Sequence, residues 1–159
     1  MQHHTIPKYN IMIGHEGLEK LQSNIWNEEP VPSKLEVGND SYDIGITYRG
    51  NHIRKFRKKS YRMEFGEYND YFEAREVHLN AEYCDPSLIR NKLALDFFQI
   101  LGILSPKSKH VFIEINGNPM GIYLQLESVD DLFLCKRQLE EGAIYYADDY
   151  HANFSLLTP

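Results

Sequence analysis

Basic residues are concentrated in one short segment of the sequence. In YRGNHIRKFRKKSYRMEF, residues 48–65, seven Lys or Arg side chains fall between Arg49 and Arg62, with no acid among them. The whole chain of 159 residues carries a net charge of −6, and outside this interval it holds 10 basic against 23 acidic residues. A largely acidic surface is poorly suited to coating nucleic acid, which requires a broad positive field. The pattern favours a local anion-binding site, and a solvated basic loop is the alternative.

The spacing inside this segment indicates how an anion would be held. Arg49, Gly50 and Asn51 follow a predicted strand, and a glycine at a bend lets backbone N–H groups approach an anion closely. The other candidates lie just before the next strand, where they can converge on the same edge of the sheet: Arg54, Lys58 and Lys59.

Strand alternation separates the two adjacent lysines. Lys59 shares a face with Tyr61 and Met63. Lys58 shares the opposite face with Arg62. Successive side chains of a strand point to opposite faces, so one of the two lysines is expected to point toward the covered side of the sheet.

A further cation, Arg90, falls in a predicted helix from Ser87 to Leu101. Asp85 can cap this helix, Pro86 suits its first turn, and Gly102 stands where a C-terminal glycine belongs. Apolar residues at helical spacing are predicted to form its core stripe: Ile89, Leu93, Phe97 and Ile100. An arginine beside such a stripe must pair with a carboxylate or bind an anion, and the sequence leaves both open.

The remaining elements predict an α+β fold with a mainly antiparallel sheet and packed helices. Strands are predicted at residues 9–13, 34–37, 42–48, 60–65 and 76–81, in a hairpin over 110–127, and at 143–147. Asn116-Gly117 suits the type I′ turn of that hairpin. Helices are predicted from Glu16 to Trp26, and from Ser128 to about Glu140 with Asp131 as the capping-box acid.

Several chemistries are not supported by the sequence. There is no G-x-S-x-G, H-E-x-x-H, C-x-x-C, Walker A or G-x-G-x-x-G motif. Cys84 and Cys135 lack metal-like spacing and are interpreted as structural thiols in a reducing compartment. The N-terminus lacks a signal-peptide layout, and no apolar run approaches the ~20 residues of a membrane span. The expectation is a cytoplasmic protein without membrane contact.

Four motifs together resemble the spore coat protein H (CotH) family of atypical protein kinases: R-G-N-x-x-R, K-K-S-Y-R, N-A-E-Y-x-D-P-S-L-x-R-N-K-L and E-S-V-D. The likeness extends over nearly the whole chain, in order. It implies a protein-kinase-like fold, ATP with Mg²⁺ as cofactor, and other spore coat proteins as substrates. It also implies a location in the mother-cell cytoplasm and then in the coat of a Bacillus-type endospore. The charge distribution, independently, predicts no nucleic-acid partner.

The same resemblance gives the candidate residues their roles. In a kinase-like N-lobe a turn covers the ATP phosphates, and a lysine on a nearby strand holds phosphate oxygens. The turn would be Arg49–Asn51, and the lysine would be Lys59, with Lys58 the alternative. Arg90 would be a phosphate or ion-pair residue. The strand from Leu124 resembles the hinge that meets adenine, and it adds Gln125 and Glu127 as candidate nucleotide-binding residues. Arg54 is also a candidate.

The resemblance further implies one lobe of a kinase. Residues 1–159 are expected to form a single N-terminal lobe, with a strand–helix–hairpin start (10–49), a phosphate loop, helix and hairpin (50–127), and a hinge helix leading toward a missing C-terminal lobe (128–159). The catalytic-loop Asp and Asn and the second metal-binding Asp of that lobe have no counterpart motif, and Asp148 and Asp149 are interpreted as loop acids. No catalytic or metal residue is therefore assigned, and the chain alone is expected to be inactive. A non-catalytic coat-assembly module is the alternative.

Overall fold

A computed structural model of the chain describes residues 5–146. The described residues divide into two compact units, one that ends at Ser128 and one that begins at Val129. All seven strands lie in the first unit. No helix in the described part is long and apolar enough to cross a membrane.

The first unit consists of strands joined mostly by short turns. In chain order its elements are β1 Lys8–Ile13, α1 His15–Ser23, β2 Val31–Val37, β3 Asp40–Arg49, a 3₁₀ turn Ile53–Lys55, β4 Ser60–Asn69, β5 Ala74–Asn80, α2 Arg90–Ile100, β6 Ser108–Ile115 and β7 Asn118–Glu127. The second unit contains α3, Asp131–Cys135. The predicted α+β class and the predicted strands up to residue 127 are confirmed.

The seven strands close into a barrel in the order β1-β2-β3-β4-β5-β7-β6. Every neighbouring pair is antiparallel except β1 and β6, which run parallel and place Tyr9 beside Ile113. The prediction of a mainly antiparallel sheet is confirmed. The closure and the parallel pair were not predicted, because alternation identifies strands without identifying their distant partners.

Strand alternation fills the barrel interior with apolar side chains. Tyr9, Leu35, Ile46, Met63 and Leu79 come from five different strands and are fully or almost fully buried. Small barrels have interiors just wide enough for side chains to fill, so the strands themselves supply the core.

One end of the interior is closed by aromatic rings around a lysine. The Lys109 Nζ lies 5.9 Å from the ring centre of Tyr9, 5.7 Å from Tyr71 and 5.9 Å from Phe72. Burial there lowers the pKa of Lys109. The rings offer this cation their negatively polarised faces, which offsets part of its lost hydration.

The β6–β7 turn has the predicted geometry. Asn116 and Gly117 have φ angles of 49° and 77°, as a type I′ turn requires. The Asn116 side chain also accepts a hydrogen bond from the Ile13 N–H at 2.8 Å and donates one to the Ile13 carbonyl at 2.9 Å. These two bonds fasten the turn to the end of β1.

The helix α2 differs most from the prediction. It begins at Arg90 instead of Ser87, because Leu88 has a φ of 60° and interrupts any earlier turn. Its C-terminal glycine is confirmed, since Gly102 has a φ of 74°. The predicted core stripe is wrong: each of its residues is more than half exposed, namely Ile89, Leu93, Phe97 and Ile100. The closed barrel already has its core, so this helix is not required to cover it.

The other helices are shorter than predicted. α1 ends at Ser23, before the predicted Trp26. α3 is capped by Asp130, which accepts from the Phe133 N–H at 3.1 Å, so the prediction of Ser128 as cap is wrong. Residues 143–146 form no strand, and the rest of that predicted strand lies outside the described residues, as do Asp148 and Asp149.

Both cysteines are free thiols with exposed positions, so neither is part of a core.

Two leucines test this division between the core and the exposed helix. We expect Leu35→Ala to lower the free energy of unfolding by about 2–5 kcal/mol, because it opens a cavity inside the barrel. We expect Leu93→Ala, the matched substitution on α2, to change it by less than about 0.5 kcal/mol. Urea unfolding followed by circular dichroism measures both, and equal losses would contradict the exposed position of Leu93.

Candidate functional site

A cavity that holds predicted site residues lies at the end of β3 and β5. Cavity 1, about 530 Å³, is lined by the turn after β3, by the adjoining ends of β4 and β5, and by residues from 82 to 91. Three of the predicted candidates line it: Arg49, Gly50 and Arg90. Residues 41 positions apart in sequence (49 to 90) are thus brought to one opening.

The turn on one side of cavity 1 depends on a glycine. Gly50 has a φ of 81°, and a Cβ at this position would lie 2.7 Å from the Ile53 Cγ2. Positive φ and close approach both exclude a side chain here. The Arg49 guanidinium donates to the Asn80 side-chain oxygen, which ties this turn to the end of β5.

The opposite side of cavity 1 is organised by Asp85. Its buried carboxylate accepts from the Ser87 hydroxyl at 2.6 Å and from the Arg90 N–H at 2.9 Å. These bonds, with that from Ser87 first, lower the pKa of Asp85 from 3.8 to about 2. The carboxylate therefore stays ionised and caps the start of α2 from outside the helix.

Arg90 forms an ion pair and still has an accessible side chain. Its Nε lies 3.0 Å from the Asp85 Oδ1, and its terminal nitrogen donates to the Cys84 carbonyl at 2.8 Å. Its side chain is nevertheless 70% exposed. The ion pair orients the guanidinium at the edge of cavity 1 without covering it.

Cavity 1 is not purely basic. Glu82 lines it together with Asp85, and the Glu82 carboxylate accepts from the Asn91 side chain at 3.1 Å. Two guanidinium groups therefore face two carboxylates that already have partners, so the cavity is close to balanced in charge.

The two adjacent lysines make different contacts, but strand alternation is not the reason, because both precede β4, which begins at Ser60. The Lys58 Nζ donates to the carbonyls of Ala81 (2.9 Å) and Ile122 (2.5 Å) and lies 4.2 Å from the ring centre of Tyr123. Burial lowers the pKa of Lys58, and Glu82 opposes that shift. Lys58 thus braces the wall of cavity 1 against β7 without lining the cavity.

Lys59 lies away from cavity 1. Its Nζ donates to the backbone carbonyl of Arg54, and its side chain lines cavity 2, a separate opening of about 350 Å³ beside α1 and the β6–β7 turn. Arg57 lines the same opening. The structure therefore does not bring Lys59 together with Arg49 and Arg90.

Arg54 has a packing role. It is buried, its guanidinium pairs with Glu28 and donates to the Ile25 carbonyl at 3.1 Å, and it lies 5.5 Å from the Trp26 ring. These contacts hold the α1–β2 connection against the basic segment. Asn51 is exposed and does not line cavity 1.

The predicted hinge residues also lie apart from cavity 1. The Gln125 side chain is buried and accepts from the Tyr9 hydroxyl at 2.6 Å. The Glu127 carboxylate accepts from the Lys107 N–H at 3.0 Å, and the Glu127 N–H donates to the Lys107 carbonyl at 2.9 Å. β7 is paired on both sides, so these backbone groups serve the sheet.

The sequence argument assigned no site role to several residues that line cavity 1, including Asn80, Glu82 and Asn91. All three belong to the stretch that begins N-A-E-Y and ends R-N-K-L. The density of polar residues in that stretch was the signal that could have identified this side of the cavity.

Comparisons with known proteins agree on one family. Residues 46–159 match the family model described as CotH kinase protein. Inner spore coat protein H of Bacillus subtilis (strain 168) is 51% identical over 154 residues, which cover 97% of this chain and 42% of the relative. An inner spore coat protein H-like protein of the same organism is 46% identical over 54 residues, 34% of this chain and 18% of that relative. The chain thus spans less than half the length of the curated relatives it matches.

The role of Asp85 can be tested through pH. Its pKa is lowered on folding, so its contribution to stability is fully present above its ordinary pKa of 3.8 and is lost as pH falls toward about 2. We expect Asp85→Asn to lower the melting temperature at pH 7, and the difference from the parent chain to shrink as pH drops below 4. Asp43→Asn is the control, because Asp43 is exposed and its distance to Lys34 is 3.9 Å. A difference independent of pH would contradict the ion pair and capping role.

Proposed function

The chain belongs to the CotH kinase family, and from this membership we propose that its barrel is the nucleotide-binding part of a spore coat protein kinase. The whole protein would transfer the γ-phosphate of ATP to Ser or Thr residues of other coat proteins, in the mother cell and then in the coat, and so contribute to coat assembly. The remainder of that protein would supply the catalytic groups.

Cavity 1 is the proposed place for the phosphates. The observation that carries this proposal is the meeting of Arg49, Gly50 and Arg90 at one opening. Guanidinium groups bind phosphate oxygens through paired, charge-assisted hydrogen bonds. The turn at Gly50 brings backbone to the same opening. Lys58 supports the wall from behind, through the Ala81 carbonyl.

The described residues do not fit a protein-bound metal. Residues 5–146 contain no group of three or more His, Cys, Asp or Glu side chains placed to hold an ion. Within cavity 1, Glu82 and Asp85 are already bonded to Asn91, Ser87 and Arg90. We therefore assign no Mg²⁺ ligand to this barrel, and Mg²⁺ would arrive with the nucleotide, which commonly supplies phosphate ligands to that ion.

A second function has one observation in its favour. The exposed apolar face of α2 and the residues after it form a surface of the kind that docks protein partners: Ile89, Leu93, Phe97, Ile100, Ile103 and Leu104. A non-catalytic coat-assembly module would use this face and would not bind ATP. A rise in melting temperature with Mg-ATP separates the two functions, since only a nucleotide-binding chain is stabilised by it.

The nucleotide proposal predicts a specific loss of affinity. We expect Arg49→Gln to weaken Mg-ATP binding to this chain by about tenfold or more, because a charge-assisted contact to phosphate is removed. Lys34→Gln removes the same charge at an exposed position of β2, and we expect it to leave the affinity for Mg-ATP unchanged. Lys59→Gln, in cavity 2, should also leave it unchanged. Isothermal titration measures all three, and a loss confined to Lys59→Gln would contradict the choice of cavity 1.

A glycine pair tests the turn. Gly50 and Gly66 both have positive φ angles, 81° and 73°, but only Gly50 has an atom within 3 Å of an added Cβ. We expect Gly50→Ala and Gly66→Ala both to lower the melting temperature, since alanine is strained at such angles. Only Gly50→Ala should weaken Mg-ATP binding in the same titration. If the two variants bound Mg-ATP with equal affinity, the turn at Gly50 would not be part of the nucleotide site.

A further inference from the structure

We propose that cavity 2, at the mouth of the barrel beside α1, is a second anion site that takes a small organic phosphate. The cavity lies between the end of β1, the inner side of α1, the β6–β7 turn and the last residues of the basic segment. Barrel mouths are a common place for ligand sites, and the volume of about 350 Å³ is within the usual range for small molecules. This inference does not depend on the nucleotide function of cavity 1.

The charge of cavity 2 is one-sided. Arg57 and Lys59 line it, and no Asp or Glu is among the residues that do. This contrasts with cavity 1, where carboxylates balance the cations. Arg57 makes no ion pair or hydrogen bond within residues 5–146. Lys59 donates to one backbone carbonyl, so its ammonium group keeps further donors. In a chain of net charge −6, two cations without a neutralising acid create a local preference for an anion.

Two tyrosines add donors from within the barrel. Tyr48 and Tyr61 line cavity 2, and they are only 7% and 4% exposed. Neither hydroxyl has a hydrogen-bond partner among the protein groups in the part of the chain that the structure describes. Burial raises the pKa of both hydroxyls, so they remain protonated and can donate. Each hydroxyl is therefore available to donate to an acceptor bound in the cavity.

The shape of cavity 2 favours an organic phosphate over an inorganic ion. Phosphate offers several acceptor oxygens, which matches a rim composed of donors. The rest of the volume is bounded by apolar side chains, among them Leu18, Leu21 and Met120. Inorganic phosphate would leave this apolar part unfilled. A phosphate monoester with a compact apolar body satisfies both halves of the cavity.

The first experiment is titration calorimetry of the 159-residue chain with phenyl phosphate, alongside inorganic phosphate and uncharged benzyl alcohol. We expect phenyl phosphate to bind more tightly than either. Arg57→Gln should weaken it by about tenfold or more, as loss of a charged hydrogen bond does. Lys55→Gln is the matched control, because it removes the same charge from the same segment but does not line the cavity. Equal losses in the two variants, or binding of benzyl alcohol as tight as that of phenyl phosphate, would overturn the proposal.

A second variant separates ligand binding from packing. Tyr48→Phe removes only the unpartnered hydroxyl. We expect it to leave the melting temperature of the unliganded chain unchanged and to reduce the rise that phenyl phosphate produces. An unreduced rise would remove that hydroxyl from the site. Loss of phenyl phosphate binding in Arg49→Gln, with Arg57→Gln unaffected, would place the anion in cavity 1 and overturn the second site.

Discussion

The parallel pairing of β1 with β6 is the constraint on which the rest of the first unit depends. It closes seven strands into a barrel, so every strand has two neighbours and the sheet has no open edge. The interior is then filled mainly from the strands, with Leu21 of α1 and Phe72 added to the core, and openings are left at the rim. Cavity 1 and cavity 2 both lie near the end where β3 leads into β4, because the basic segment makes that connection.

Closure also decides how the positive charge of residues 48–65 is distributed. The sequence pattern suggested a single anion site. In the structure, the segment connects β3 to β4 at the rim of the barrel and contributes residues to both cavity 1 and cavity 2. Lys58 donates to the backbone carbonyls of Ala81 and Ile122, whereas Lys59 lines cavity 2 beside α1. Arg54 is buried against Glu28. The cations therefore serve bracing, packing and two separate cavities.

Features that depend only on neighbouring residues could be predicted from the sequence. The Asn116-Gly117 turn follows from φ preferences and is confirmed. The different contacts of Lys58 and Lys59 do not follow from strand alternation, because both residues precede β4. Closure could not be predicted, because β1 and β6 are separated by almost the whole unit and pair only through topology. The stripe of α2, with Leu93 at its centre, shows the same limit: periodicity identifies an apolar face but not what covers it.

Arg90 shows why the site was harder to predict than the fold. The sequence offered a structural ion pair or an anion contact as exclusive alternatives. The structure shows the ion pair, in which Asp85 holds the Arg90 Nε at 3.0 Å, and most of the Arg90 side chain remains exposed. The same carboxylate receives the Arg90 N–H and thereby fixes where α2 begins. A cation held in this way loses little conformational freedom when an anion arrives, so the ion pair would favour phosphate binding at the site proposed in cavity 1.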